Sequence, residues 1–213
     1  MTEENKFYEE LRKEIQPYFE KGGAHDFEHT ERVLNLALNI GKKENADLNI
    51  LTVACLLHDV ARKKQDESQG AICHAEEGGK MAEEILDKYN YSFIPQVVHC
   101  IQTHRFRNGF IPSTIEAKVL FDSDKLDSIG AVGILRAAYF SGKINARLHN
   151  PNVNLNETSI YGFEDTPYRE YLDKLSKIKD QLLTDSGKEI AKSRHDYMVS
   201  FFDRLNKEVI GKL

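Results

Sequence analysis

The sequence predicts an all-α protein, and three observations support this. Apolar residues recur at helical spacing along most of the 213 residues, helix-capping signals precede several of these stretches, and no alternating apolar run is long enough to predict a strand. The composition, 40% apolar and 30% charged, is typical of an ordinary globular protein. We therefore expect a single domain over residues 1–213, with a core at about 20–140 and C-terminal helices at about 166–210 packed onto it.

The helices can be placed in order from their apolar stripes and end signals. Asp47 is a plausible N-cap, Ser113 to Glu116 forms a capping-box pattern, and Thr166 is a cap followed by proline at the first helical position. The segment Thr184–Gly187 breaks the chain before the last helix. The predicted helices cover about residues 7–18, 27–43, 47–62, 74–89, 94–104, 113–129, 166–182 and 188–209.

One segment lacks helical periodicity. Residues 145–165 contain Asn150-Pro151 and further asparagines. A stretch of this length without regular structure is usually a functional lid, a binding loop or a disordered segment. We expect either disorder or a lid over a substrate.

Composition also limits the partners and the compartment. Three cysteines without a CxxC pair indicate reduced thiols, and no segment resembles a signal peptide or a membrane span, so we expect a cytoplasmic protein without a membrane partner. The formal charge of −5 argues against a stable nucleic-acid partner. A homo-oligomer is compatible with the sequence.

The chemistry-bearing residues are two histidines and several aspartates on different predicted helices. His29 lies on an inward helix face, and the doublet His58-Asp59 ends the apolar run 51–57. Helical geometry alone allows Asp122 or Asp124 to supply a further inward carboxylate. Burying an ionised aspartate costs several kcal/mol unless it is paired or binds a metal. The set therefore predicts a divalent-metal site of mixed imidazole and carboxylate ligands, suited to Mn, Co, Ni, Fe or Zn.

These residues resemble the signature of a known superfamily. His29, His58-Asp59 and the segment beginning Asp124-Lys-Leu are similar to the motifs of the HD-domain metal-dependent phosphohydrolases, which are all-α. Flanking segments resemble the small bacterial nucleotide pyrophosphohydrolase branch of that superfamily: 25–26, 101–106, 124–136, 184–188 and 194–198. The resemblance implies that Asp124 is the fourth ligand, beside His29, His58 and Asp59.

Other residues receive roles around this metal site. Basic side chains that follow site residues are expected to bind substrate phosphates: Arg62, Lys63, Arg105 and Lys125. Four residues are expected to take part in catalysis, as a metal ligand, as proton carriers or as hydrogen-bond donors to phosphate: Asp59, His25, His104 and Asp127. Some similar HD proteins hold two ions, and His74 with His104 would supply the extra ligands here.

The resemblance implies a nucleotide substrate, and the expected reaction converts a nucleoside triphosphate into a monophosphate and pyrophosphate. The alternatives are a nucleotide phosphomonoesterase, a two-iron oxygenase of similar architecture and a non-catalytic ligand sensor. A cyclic-dinucleotide phosphodiesterase is disfavoured because no Gly-Tyr-Pro sequence follows the doublet.

Overall fold

The structure, a computed structural model, describes residues 2–19, 22–23, 26–105 and 109–213. Those residues form α-helices and short 3-10 helices without any strand, which confirms the all-α prediction. Their contacts divide the chain into two compact units, 1–124 and 125–213. The single domain expected from the sequence stays a prediction. Within the described residues, no helix is both long enough and apolar enough to cross a bilayer.

The first unit is built around a short helix that is apolar on every side. This helix, α3, has eight buried residues in succession from Ile50 to Leu57, and it packs against α1, α2 and α6. A helix that is apolar all round is stable only when neighbours cover all of its faces. The helices of this part of the chain are α1 Glu3–Ile15, a 3-10 helix at Gln16–Tyr18, α2 Phe27–Glu44, α3 Leu48–Leu57, α4 Arg62–Glu67, α5 His74–Asp87, α6 Ile94–Thr103 and α7 Ile115–Asp127, whose last three residues belong to the second unit.

The end of α3 differs from the prediction. The N-cap is confirmed, since the Asp47 carboxylate accepts hydrogen bonds from the backbone N–H groups of Asn49 and Ile50. The predicted continuation to Arg62 is wrong, because the helix ends at Leu57 and a turn follows. Short-range bonds such as Arg62 N–H to the Asp59 carbonyl, 2.8 Å, replace the helical pattern there. The turn places the histidine–aspartate doublet at the C-terminal end of a buried helix.

The start of α7 also differs from the predicted capping box. Thr114, one residue after the predicted Ser113, caps the helix by accepting a hydrogen bond from the backbone of Ala117. Ser113 instead contacts the His99 ring, and the Glu116 carboxylate accepts a hydrogen bond from the backbone N–H of Asp47 at 3.0 Å. Tertiary partners therefore occupy the two side chains that the local pattern assigned to the cap.

The second unit contains α8 Gly130–Lys143, α9 Pro167–Asp173 and α10 Asp185–Val209, with a 3-10 helix at Leu175–Asp180. The sequence pattern did not separate α8 from α7. Gly130, at φ +79°, allows the chain to turn between them. The cap at Thr166 is confirmed, since its hydroxyl accepts a hydrogen bond from the backbone N–H of Arg169. The predicted break at Thr184–Gly187 is too long, because α10 begins at Asp185 and the Thr184 hydroxyl caps it by accepting from the backbone N–H of Gly187. The predicted helix at 166–182 is wrong as one element, because α9 ends at Asp173 and the 3-10 helix follows.

Residues 145–165 contain turns rather than helix or strand, as predicted. They are held by specific bonds: Arg147 N–H to the Phe163 carbonyl at 2.8 Å, and the Asn150 amide to Glu164 at 2.6 Å. The buried Arg169 guanidinium donates to Asp165 at 3.2 Å. This network favours an ordered loop over the disordered alternative, and the role as a lid stays a prediction.

Candidate metal centre

His29 is positioned by the start of α2. Asp26 caps this helix, and its carboxylate accepts a hydrogen bond from the backbone N–H of His29 at 2.9 Å. The cap fixes the first turn of α2, and the imidazole one turn into the helix is completely buried in the first unit. The predicted inward orientation of His29 is therefore observed.

His58 is positioned by the end of α3. Its Nδ1 lies 2.7 Å from the carbonyl oxygen of Cys55, which can only accept a hydrogen bond, so Nδ1 carries the proton. The other ring nitrogen, Nε2, then presents a lone pair. It is buried and has no hydrogen-bond partner among the described residues. A histidine oriented through Nδ1 with a bare Nε2 is the usual arrangement of a metal ligand.

Asp59 and Asp124 bring carboxylate oxygens to these imidazoles. Asp59 Oδ2 lies 3.8 Å from Nε2 of both His29 and His58, and Asp124 Oδ1 lies 3.5 Å from Nε2 of His29. The ligand atoms of His29, His58 and Asp59 all lie within 4.8 Å of one another. Ligands bound about 2.1 Å from one ion lie about 3 to 4 Å apart. The buried cluster fits a divalent-metal site.

A second cluster lies on the other oxygen of Asp59. His74 Nε2 is 3.2 Å and His104 Nε2 is 3.9 Å from Asp59 Oδ1, and the two ring nitrogens are 3.0 Å apart. His104 is held as His58 is, with Nδ1 donating to the Ile101 carbonyl at 2.6 Å. Asp59, His74 and His104 also satisfy the distances of a metal-binding group. The carboxylate of Asp59 thus faces both clusters.

Burial keeps these imidazoles neutral. Loss of hydration lowers the pKa of His74 to about 2 and that of His104 to about 4, and the nearby carboxylate of Asp59 only partly opposes this effect. Arg62 and Arg105 lower the pKa of His74 further by charge repulsion. Neutral imidazole is the form that binds a metal ion, so the electrostatics agree with the ligand geometry.

The predicted phosphate-binding residues differ in how close they lie to the histidine cluster. The Arg105 Nη1 atom lies 2.8 Å from both His74 Nδ1 and Gln65 Oε1, at the edge of the second cluster. Arg62 lies close enough to affect His74 electrostatically. Lys63 is half exposed and lies 3.9 Å from Glu67 on the same helix turn.

Gln65 was missed by the sequence analysis. Its side-chain oxygen accepts from Arg105 and lies 2.8 Å from His74 Nδ1. A lone glutamine on a short polar helix carries no chemical signal in the sequence, and only the packing of α4 beside α5 brings it to His74.

The other predicted residues are placed as follows. His25 lies outside the described residues. Asp122 is fully buried on α7, two residues before Asp124. Lys125 and Asp127 follow on the same helix but belong to the second unit. There the Asp127 carboxylate, itself buried, accepts a hydrogen bond from Arg136 at 2.8 Å.

Comparison with known proteins gives a consistent set of similarities. Residues 26–129 match the HD domain family. The Bacillus subtilis (strain 168) protein YpgQ is 34% identical over 208 residues, which covers 95% of this chain and 94% of YpgQ. A solved HD-superfamily hydrolase from Bacillus thuringiensis matches with a TM-score of 0.74 and 25% identity, over 96% of this chain and 97% of that one. The structure of YpgQ in complex with ADP matches with a TM-score of 0.72 and 30% identity, over 96% of each chain.

Proposed function

This chain belongs to the HD domain family, whose members include metal-dependent phosphohydrolases, and we propose that it hydrolyses nucleoside triphosphates to monophosphates and pyrophosphate. The observation that carries the proposal is the buried cluster of His29, His58 and Asp59, with Asp124 beside His29. The ADP complex of YpgQ, a relative over nearly the whole chain, supports a nucleotide as the ligand.

His29, His58, Asp59 and Asp124 would hold the divalent ion. When bound, such an ion supplies Lewis-acid chemistry, since it lowers the pKa of water and polarises a phosphorus–oxygen bond. The Nδ1 hydrogen bond to the Cys55 carbonyl holds the His58 ring in place, and the surrounding apolar helices exclude bulk water from the ligands.

Cationic side chains would bind the polyphosphate. Arg62 and Arg105 lie on the His74 side of the cluster, and their guanidinium groups suit bidentate contacts with phosphate oxygens. Lys63 and Lys125 are proposed to contribute positive charge. Such donors stabilise the negative charge that develops on departing pyrophosphate.

Proton transfer to the leaving group is proposed for His104 or His25, and a proton-accepting role for Asp127. His104 Nε2 lies in the cluster, 3.9 Å from Asp59 Oδ1. In the metal-free protein this nitrogen carries a lone pair, so His104 would have to take up a proton before giving one to the leaving group.

The proposal is tested by product analysis. The purified chain, supplemented with Mn²⁺, is incubated with nucleoside mono-, di- and triphosphates, and the products are separated by anion-exchange chromatography. Nucleoside monophosphate with pyrophosphate is the expected outcome. Inorganic phosphate from monophosphates alone would instead identify a phosphomonoesterase.

The metal dependence is tested by substitution. Asp59→Ala removes a ligand oxygen from both clusters, so we expect loss of the retained metal and of the hydrolysis. Asp87→Ala, an exposed residue at the end of α5, is the matched control and should keep both. Metal content is measured by mass spectrometry and helical content by circular dichroism. Full metal occupancy in the Asp59 variant would contradict the assignment.

A second candidate function is a two-iron oxygenase, which the cluster of Asp59, His74 and His104 favours. This function requires two irons per chain and consumption of O₂. A chain that binds metal, releases nothing from any nucleotide and takes up O₂ with a reductant would support it. Metal binding without turnover of any substrate would support the remaining alternative, a non-catalytic ligand sensor.

A further inference from the structure

We propose that Arg105 and Gln65 together determine which nitrogen of His74 carries the proton, and thereby whether Asp59, His74 and His104 can hold a second cation. The inference rests on the proposed metal function of Asp59. It assigns to Gln65 and Arg105 a positioning role that acts through the His74 ring.

His104 is the neighbour of His74 whose protonated nitrogen is fixed by the backbone. His104 donates from Nδ1 to the Ile101 carbonyl at 2.6 Å, so its Nε2 carries a lone pair. His74 Nε2 lies 3.0 Å from that lone pair and 3.2 Å from Asp59 Oδ1, which is a second acceptor. Without an ion, favourable contacts therefore require the proton of His74 to lie on Nε2.

Arg105 supports this metal-free arrangement. When Nε2 of His74 carries the proton, Nδ1 has a lone pair and accepts a hydrogen bond. The Arg105 Nη1 atom, 2.8 Å away, can only donate. The groups then form an unbroken series of hydrogen bonds from Arg105 to His74, to His104 and to the carbonyl of Ile101.

Cation binding requires the opposite tautomer. The lone pair of His74 Nε2 must face the ion, so this nitrogen releases its proton to water while Nδ1 takes one from water, and the ring charge does not change. The new N–H at Nδ1 points at Gln65 Oε1, 2.8 Å away, which accepts it. The same N–H group of His74 also faces the N–H donor of Arg105, and two donors that face each other repel. Gln65 therefore favours the cation-binding tautomer, and Arg105 favours the metal-free one.

The tautomers can be observed directly by NMR. Long-range ¹H–¹⁵N correlations are recorded on the full-length, ¹⁵N-labelled chain, first after chelation and then with two equivalents of diamagnetic Zn²⁺. The His74 signals are assigned with His74→Gln. We expect protonated Nε2 on metal-free His74 and protonated Nδ1 after zinc addition. A metal-free His74 already protonated at Nδ1, or a ring unchanged by zinc, would overturn the proposal.

Affinity for the second Zn²⁺ is then measured by calorimetry on substituted chains. Losing the group that orients a ligand typically changes metal affinity by about 10–100-fold. We expect Gln65→Leu to weaken the second binding event by about 10-fold or more, whereas Gln65→Glu, which keeps an acceptor oxygen, should not weaken it. Arg105→Gln should tighten it by about 10-fold.

The matched control separates hydrogen bonding from charge. Arg62→Gln also removes a cation that affects His74, but no Arg62–His74 hydrogen bond occurs among the described contacts. It should tighten the second event less than Arg105→Gln does. Equal tightening by the two substitutions would show a simple charge effect and overturn the role of Arg105. If every variant binds only one ion, this inference is overturned and the first metal site is retained. If no variant binds an ion, both this inference and the proposed metal function are overturned.

Discussion

The metal-free protein should lose stability as the solution is acidified, because its site histidines resist protonation. Burial lowers the pKa of His74 to about 2 and that of His104 to about 4, whereas an unfolded histidine has a pKa of about 6.5. Below pH 6.5 the unfolded chain therefore binds protons that the folded chain does not bind. The free energy of unfolding consequently falls as the pH decreases from 6.5 towards the folded values.

The size of this effect follows from the same shifts. Each pH unit is worth up to about 1.4 kcal/mol per histidine, and the unfolded ring is only half protonated at pH 6.5. Acidification from pH 6.5 to 4.5 therefore weakens folding by about 2 kcal/mol for each isolated ring. The two rings contact each other and share Asp59, so we expect about 2–4 kcal/mol for the pair.

The assay is urea denaturation of the chelator-treated chain at the two pH values, with the m-value as a check that the same surface unfolds. His74→Gln removes one of the two titrating rings, so the loss of stability on acidification should shrink by about half, while Gln keeps a polar side chain at that position. Equal losses in the wild-type and substituted chains would refute the electrostatic argument. Bound metal must be absent, because an ion adds its own pH dependence.

Three further predictions concern the ligand choice and the fold. Asp124→Asn should reduce the metal content of the purified chain far more than Asp122→Asn, as measured by mass spectrometry, and the reverse order would transfer the ligand role. Gly133→Ala should destabilise the chain by about 2 kcal/mol or more in urea denaturation, because its Cβ would clash with the backbone carbonyl oxygen of Ser128. Gly142→Ala on the same helix meets nothing within 4 Å and should be neutral or stabilising. Arg169→Met removes the charged partner of the buried Asp165 carboxylate, which keeps the hydrogen bond from the backbone N–H of Tyr161, and should cost about 3 kcal/mol by the same measurement.

The helical fold was predictable because its signals are local. Apolar spacing located α2, α5 and α6 to within about two residues, and side-chain caps such as Asp47 were read from single positions. Errors arose where a tertiary contact replaced a local one. Ser113 and Glu116 match a capping box, yet each bonds to a distant residue instead. Residue spacing in the sequence does not show whether a side chain bonds to its own helix or to a distant residue.

The buried cluster of candidate metal ligands was predictable for a different reason. A buried carboxylate beside a histidine needs compensation, and that requirement is visible in the sequence at His58-Asp59. The groups around the ligands were less visible. Gln65 contacts His74 only because two helices pack together, and the orientation of Arg105 depends on that packing as well. Residues that act by orienting others carry no distinctive residue type, so structure was required to find them.

The helix ends add a further reason why this place suits a cation. α3 ends directly before His58 and α6 ends directly before His104, and each histidine donates Nδ1–H to the carbonyl three residues earlier. The same local device therefore turns both Nε2 atoms away from the helix end and towards Asp59. Both C-terminal ends carry partial negative charge from their aligned carbonyls, which stabilises a nearby cation by about 0.3–1 kcal/mol each. The backbone thus orients the imidazoles and lowers the energy of the ion that they would bind.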